Sequence, residues 1–212
     1  MKIYLFSPLP PVPSGIAHYS HIISEELCLR HGYEVHVITN QREISVDHHY
    51  QIHHRDEFLY HEFPKEALCI YQIGNNRIHE FSYPYLFTFP GIIVLHDFLV
   101  GHGRMDPLIE YHTSEERAAE FSYSMGTERG KHLESCIQIG AWKDEMTFLV
   151  DLHKPFLEAS VFTIVHNPDT QYMVQLTTPG VDVRCVPMCL KDSGTDSVIS
   201  IEKRSEIKKR FL

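Results

Sequence analysis

Short apolar runs alternate with longer amphipathic stretches along this chain, and the alternation predicts strands separated by helices. Lys2-Ile3-Tyr4-Leu5-Phe6 is rich in strand formers, and so are Glu34-Val35-His36-Val37-Ile38-Thr39, residues 67–73, Ile92-Ile93-Val94-Leu95, residues 160–165 and residues 183–186. Runs of this length and composition, with helical segments between them, read as buried parallel strands. Residues 16–30 carry Ile16, Tyr19, Ile23, Leu27 and Leu29 at close to helical spacing, with Glu25, Glu26 and Arg30 between them, and Gly32 supplies the helix stop. The expected class is α/β, with one doubly wound, mostly parallel sheet.

Residues 98–155 read as helical throughout, which is long for a crossover between two strands. The spacing predicts separate helices at 108–111, 115–123 and 131–139, broken at Pro107, Gly126 and Gly140. Residues 46–60 and 192–200 read as loops. Residues 1–200 are expected to form one domain, and residues 201–212 a charged helix.

Composition narrows the function classes. The chain has 212 residues and a formal charge of −9, so nucleic acid is an unexpected partner. Five cysteines, an odd number, argue against a fully paired disulfide framework, and no signal peptide is recognisable. A cytoplasmic, reducing location is the expectation. No stretch reaches the roughly 20 apolar residues of a membrane span, and peripheral membrane contact stays open. Sixteen histidines raise the question of metal. Cys185 and Cys189 straddle Pro187 without a second ligand pair, and His48, His49, His53 and His54 fall in a predicted loop, so the spacing is not that of a structural zinc site.

The informative regularity lies at the carboxyl end of each strand. After the first comes Ser7-Pro8-Leu9-Pro10-Pro11-Val12-Pro13-Ser14-Gly15 and then a helix. Asn75 and Asn76 come after the Gln72 strand, His96 and Asp97 after the Ile92 strand, and His166 and Asn167 after the next. In open α/β sheets ligands bind at that carboxyl edge. A helix N-terminus there favours anions, and Gly15 lets them approach the backbone. Each group also has an ordinary reading. Ser14-Gly15 turns the chain and caps a helix, and Asn75-Asn76 forms a turn. His96 is a satisfied histidine, Asp97 an N-cap, and His166-Asn167-Pro168 a helix start. The four sets together on one edge favour a site.

These residues resemble the N-terminal domain of family-4 glycosyltransferases, which have the GT-B fold. The blocks that carry the resemblance span nearly the whole chain. They are Ser7-Pro8-Leu9-Pro10-Pro11 through Ser14-Gly15-Ile16-Ala17-His18-Tyr19-Ser20, Tyr71-Gln72-Ile73-Gly74-Asn75-Asn76 with His79, Pro90-Gly91-Ile92-Ile93-Val94-Leu95-His96-Asp97, Tyr123-Ser124-Met125-Gly126 with Gly130, Val165-His166-Asn167, and Val186-Pro187. His18 stands where the family usually has aspartate. The resemblance implies a Rossmann-like half of a two-domain enzyme that transfers a sugar from a nucleotide-sugar donor to an acceptor hydroxyl with retention of configuration.

On that reading Gly15 meets the donor phosphates, and His96 sits by the transferred sugar as a hydrogen-bond donor more than as a base. Asn75, Asp97 and His166 line or support the substrate cleft. No metal or cofactor is implied, because the nucleotide-sugar is a substrate. The family's paired glutamates lie in a C-terminal donor domain, and Glu202 and Glu206 are not that motif. The chain therefore reads as an acceptor-side half, with residues 201–212 opening the hinge to a donor domain or partner subunit. The same resemblance predicts an exposed apolar patch at residues 8–12 and 98–100. The alternative is a non-catalytic binding module that docks on a separate donor-binding subunit.

Overall fold

A computed structural model describes residues 1–58, 64 and 66–188. The strands are β1 (Lys2–Phe6), β2 (Glu34–Thr39), β3 (Gln51–His54), β4 (Leu68–Ile73), β5 (Ile92–Leu95), β6 (Phe162–Val165) and β7 (Val183–Cys185). They form one all-parallel sheet in the order β3-β2-β1-β4-β5-β6-β7. The helices are α1 (Gly15–Leu29), α2 (Tyr83–Thr88), α3 (Gly101–Tyr111), α4 (Ser114–Met125), α5 (Thr127–Gln138), α6 (Lys154–Ala159) and α7 (Pro168–Thr177). The fold is a doubly wound, Rossmann-like α/β domain.

The period-two alternation of a strand builds both faces. Ile3 and Leu5 of β1 point into one core with Val35, Val37 and Tyr50, against which Leu27 and Cys28 of α1 pack. Tyr4 and Phe6 point into the other, larger core with Tyr71, Ile93, Leu95 and Phe156. There Phe6 stacks on Tyr71 with ring centroids 4.6 Å apart, and the Tyr71 hydroxyl donates to Phe89 O at 2.7 Å. Burying a ring of this kind contributes about 2–3 kcal/mol.

The sheet runs outward from β1 through β2 to β3, then returns to the other side of β1 with β4. That reversal opens a crevice at the carboxyl ends of β1 and β4. The Ile92 and Phe162 strands, expected in one sheet, are neighbours in register.

Two expectations are corrected. Residues 46–60 are not simply a loop, because Gln51–His54 forms β3 and residues 55–57 a 3-10 turn. β3 is an edge strand paired only with β2, so it needs no apolar pattern. Pro107 does not break a helix either. It lies buried inside α3, where it forgoes the N–H bond to the preceding turn and its ring crowds the carbonyl of Gly103, and burial of the ring offsets that cost. Gly126 and Gly140 do punctuate the helices, both at positive φ. The predicted loop at 192–200, the hinge helix at 201–212 and Cys189 lie outside the described residues.

The helical insertion is a packed hairpin. Gly130 of α5 lies so close to α4 that an added Cβ would collide with Ser122 N. Arg117 forks Glu134 at 2.9 and 2.7 Å, and Arg104 forks Glu120 with both bonds at 2.6 Å.

Candidate functional site

The loop after β1 is fixed from several sides. Leu9 N donates to Gln41 Oε1 at 2.7 Å, and Gln41 Nε2 donates back to Leu9 O at 2.8 Å. Ser7 Oγ donates to Ser20 Oγ at 2.7 Å, tying the loop to α1. Ser14 is the N-cap of α1, its hydroxyl accepting from Ile16 N at 3.2 Å. Gly15 therefore opens the helix in an exposed position, and nothing lies within 4 Å of where its Cβ would be.

The apolar patch expected at this edge is reduced, with Pro11 exposed and Val12, Phe98 and Leu99 half-buried. Pro8, Leu9 and Pro10 are buried, as is Val100. Leu9 belongs to the core under α1 and Val100 to the core on the opposite face, so hydrophobic burial has already used them.

A cleft of about 570 Å³ opens at the crevice, lined by Gly15, Asn75, Asn76, His79, His96 and Asp97 among others. The structure thus brings together four of the five candidates read from the strand ends. The fifth, His166, does not line the cleft. It packs behind His96, ring centroids 4.8 Å apart, and Tyr19 sets its ring edge against both at 5.1 and 5.3 Å.

Asn75 works mainly through its neighbours. Its Oδ1 accepts from His102 N at 2.8 Å and Gly103 N at 3.4 Å, which caps the start of α3. Its backbone N–H donates to Asp97 Oδ2 at 2.8 Å. Asp97 is not the cap of the following helix, because Asn75 has taken that place from across the sheet edge. Its exposed carboxylate stands at the cleft instead. Asn76 caps the 3-10 turn at 77–82, its Oδ1 accepting from Ile78 N at 3.0 Å.

His96 is oriented by Gln72. The His96 Nε2–H donates to Gln72 Oε1 at 2.6 Å, and Gln72 itself is buried. An amide oxygen only accepts, so the proton must sit on Nε2. Burial, helped by the neighbouring His166 and His79, pushes the pKa of His96 down to about 3. The ring is neutral and offers Nδ1 as a hydrogen-bond acceptor. In this tautomer the one ring proton is held by Gln72. His166 Nδ1–H donates to Val186 O at 2.9 Å, and its Nε2 is buried without a partner.

Sequence reasoning gave no role to Gln72, although a glutamine within an apolar strand was the available signal. It named His79 only as part of a motif. His79 is 1% exposed, and neither ring nitrogen has a partner at hydrogen-bond geometry. Burial pushes its pKa to about 4, against the opposing pull of the Gln72 backbone and Asp97. No Lys or Arg is among the described lining residues, and Asp97 is the one carboxylate among them. Positive potential comes from the first turn of α1.

Several of the other described histidines are engaged in local contacts. His49 Nδ1 pairs with Glu25 at 2.7 Å, and His36 bridges Glu34 at 3.0 Å and His53 at 2.9 Å. Among the described residues no group of three or more His, Cys, Asp or Glu is placed to hold a metal ion. No helix among them is long and apolar enough to cross a membrane. No protein-family model matches this chain, and no curated protein matches it.

Proposed function

We propose that this chain is the acceptor-side half of a GT-B glycosyltransferase, which moves a sugar from a nucleotide-sugar donor to an acceptor hydroxyl with retention of configuration. The observation that carries the reading is the cleft at the β1/β4 crevice. It sets the first turn of α1, an uncluttered Gly15, a neutral His96 and the Asp97 carboxylate around one space. In the reaction the anomeric C–O bond to the nucleoside diphosphate breaks, and the acceptor oxygen takes the anomeric carbon. The hydroxyl proton leaves with the diphosphate.

Gly15 and the N–H groups beside it receive diphosphate oxygens. His96 Nδ1 and Asp97 accept hydrogen bonds from sugar or acceptor hydroxyls and so orient them. Asn75 positions Asp97, and His166 with Tyr19 holds the His96 ring. Catalysis on this reading is positioning and stabilisation of the departing diphosphate. A donor domain or partner subunit supplies the remaining nucleotide contacts.

A second reading is favoured by the lack of a cationic side chain among the described lining residues. It makes the cleft a non-catalytic binding site for a neutral polyhydroxylated ligand. Calorimetry with nucleotide-sugars and with neutral oligosaccharides tests both. The half-enzyme reading expects weak donor binding and little transfer by the chain alone, with transfer appearing when a donor domain is supplied. Micromolar or tighter nucleotide-sugar binding by the chain alone overturns it, and transfer by any form of the chain overturns the binding-only reading.

A further inference from the structure

A second cavity, of about 230 Å³, lies on the helical insertion and shares no lining residue with the cleft. One wall is the face of α5 that carries Arg129, His132, Leu133 and Cys136, at positions i, i+3, i+4 and i+7. The facing wall comes from the segment after α5 and carries Trp142, Met146, Leu149 and Val150. Leu133 and Val150 are buried, which makes the interior apolar, and Met146 and Cys136 make it adaptable.

The polar groups are spread along α5, with Arg129 in its first turn and His132 and Cys136 one and two turns further on. Arg129 is exposed, and its guanidinium reaches only Leu149 O, at 3.4 Å, meeting no carboxylate among the described residues. His132 Nε2 lies 3.8 Å from Cys136 Sγ.

Size and charge select the occupant. Drug-sized sites run to roughly 300–1,000 Å³, so this cavity suits one short chain and not a nucleotide. Its apolar walls call for an apolar body. A guanidinium fork without an acid matches the two oxygens of one carboxylate. We propose that this cavity binds an amphipathic carboxylate, a single short acyl chain whose tail lies between Leu133, Trp142 and Val150 and whose head pairs with Arg129. The site is independent of the glycosyltransferase reading and stands or falls separately from it.

Trp142 is the chain's single tryptophan, so its fluorescence reports on this cavity alone. The full chain is titrated with sodium decanoate, with decanol lacking the charge, and with acetate lacking the tail. Decanoate should give a saturable change, decanol should bind about tenfold more weakly, and acetate should give none. Arg129→Ala, an exposed substitution whose fold is checked by far-UV circular dichroism, should weaken decanoate about tenfold, the loss of one charge-assisted contact. Bound decanoate should also slow alkylation of Cys136 by iodoacetamide, mapped by mass spectrometry, while leaving Cys28 unaffected. No saturable response to decanoate overturns the proposal. So does equal binding of decanol, or an Arg129→Ala protein that binds decanoate as the parent does.

Discussion

The backbone N–H of Asn75 donates to Asp97 Oδ2 at 2.8 Å, so the residue two past the end of β4 holds the carboxylate two past the end of β5. The bond explains how an exposed acid keeps a fixed place at the cleft. It also separates the roles of two adjacent candidates, since the Asn75 side chain is spent on α3.

Asn75→Ala and Asp97→Asn should therefore behave differently. Losing the cap costs about 1 kcal/mol, which lowers the melting temperature by about 2–4 °C for a chain of this length. Asp97→Asn keeps an oxygen to accept from Asn75 N, so its melting temperature should barely move. Removing the charge should weaken a hydroxylated ligand by about tenfold. Thermal melts and ligand titrations read the two effects apart, and unchanged ligand affinity in Asp97→Asn would remove that residue from the site.

Stability should fall in mild acid. His96 and His79 have folded-state pKa values near 3 and 4, lowered mainly by burial from the usual value of about 6.5. The unfolded chain therefore takes up these protons first. Their contribution is fully present above about pH 6.5 and is lost as pH falls toward the folded-state values, at about 1.4 kcal/mol per pH unit for each histidine. Burial lowers His153 in the same direction. Urea unfolding at pH 7, 6 and 5 measures the slope, and His79→Leu should reduce it by about one histidine's share. An unaltered slope would mean that His79 is protonated while still folded.

Gly15→Val tests the proposed phosphate-binding role of the first turn of α1. Gly15 is not at positive φ, and its Cβ position is empty, so the fold should tolerate the side chain at a cost of under about 1 kcal/mol. The branched group would project where the backbone meets the diphosphate. With a donor domain supplied, nucleotide-sugar turnover should drop by at least about tenfold while the melting temperature holds. Turnover equal to the parent's would exclude Gly15 from the donor site.

Gly130→Ala should have the opposite profile. Its new methyl group meets the α4 backbone at Ser122, and overpacking of this kind costs about 1–3 kcal/mol. The strain falls on the hairpin and not on the cleft, so a lower urea midpoint with unchanged ligand affinity is expected. A parent-like midpoint would show that α4 and α5 can separate freely.

The sheet was legible because buried parallel strands are short, β-branched and bounded by polar residues. The strands starting at Lys2, Glu34, Ile92 and Val183 were read at their observed first residues. β3 was missed because an edge strand with one neighbour carries no such signal, and Gln51-Ile52-His53-His54 reads as polar. Gly15, Asn75, His96 and Asp97 could be placed at one edge because topology alone puts strand ends there. Roles were harder to read, because they depend on which proton or lone pair a distant residue has already taken. Gln72 takes the His96 proton, and two N–H groups of α3 take the Asn75 oxygen. The apolar loop at Pro8–Pro10 misled for a related reason, since composition does not say which face of a loop is covered.

Gln72 has a consequence of its own. An amide is neutral at every pH, so its grip on His96 brings no countercharge, whereas a carboxylate there would favour the imidazolium. The cleft is left with two fixed poles, the positive end of α1 and the Asp97 carboxylate, and with an uncharged ring among its lining. Such a field turns a ligand more than it pulls one. On the proposed reading it would exert torque on a ligand with a strong dipole, and so favour one arrangement of hydroxyls around a ring over another.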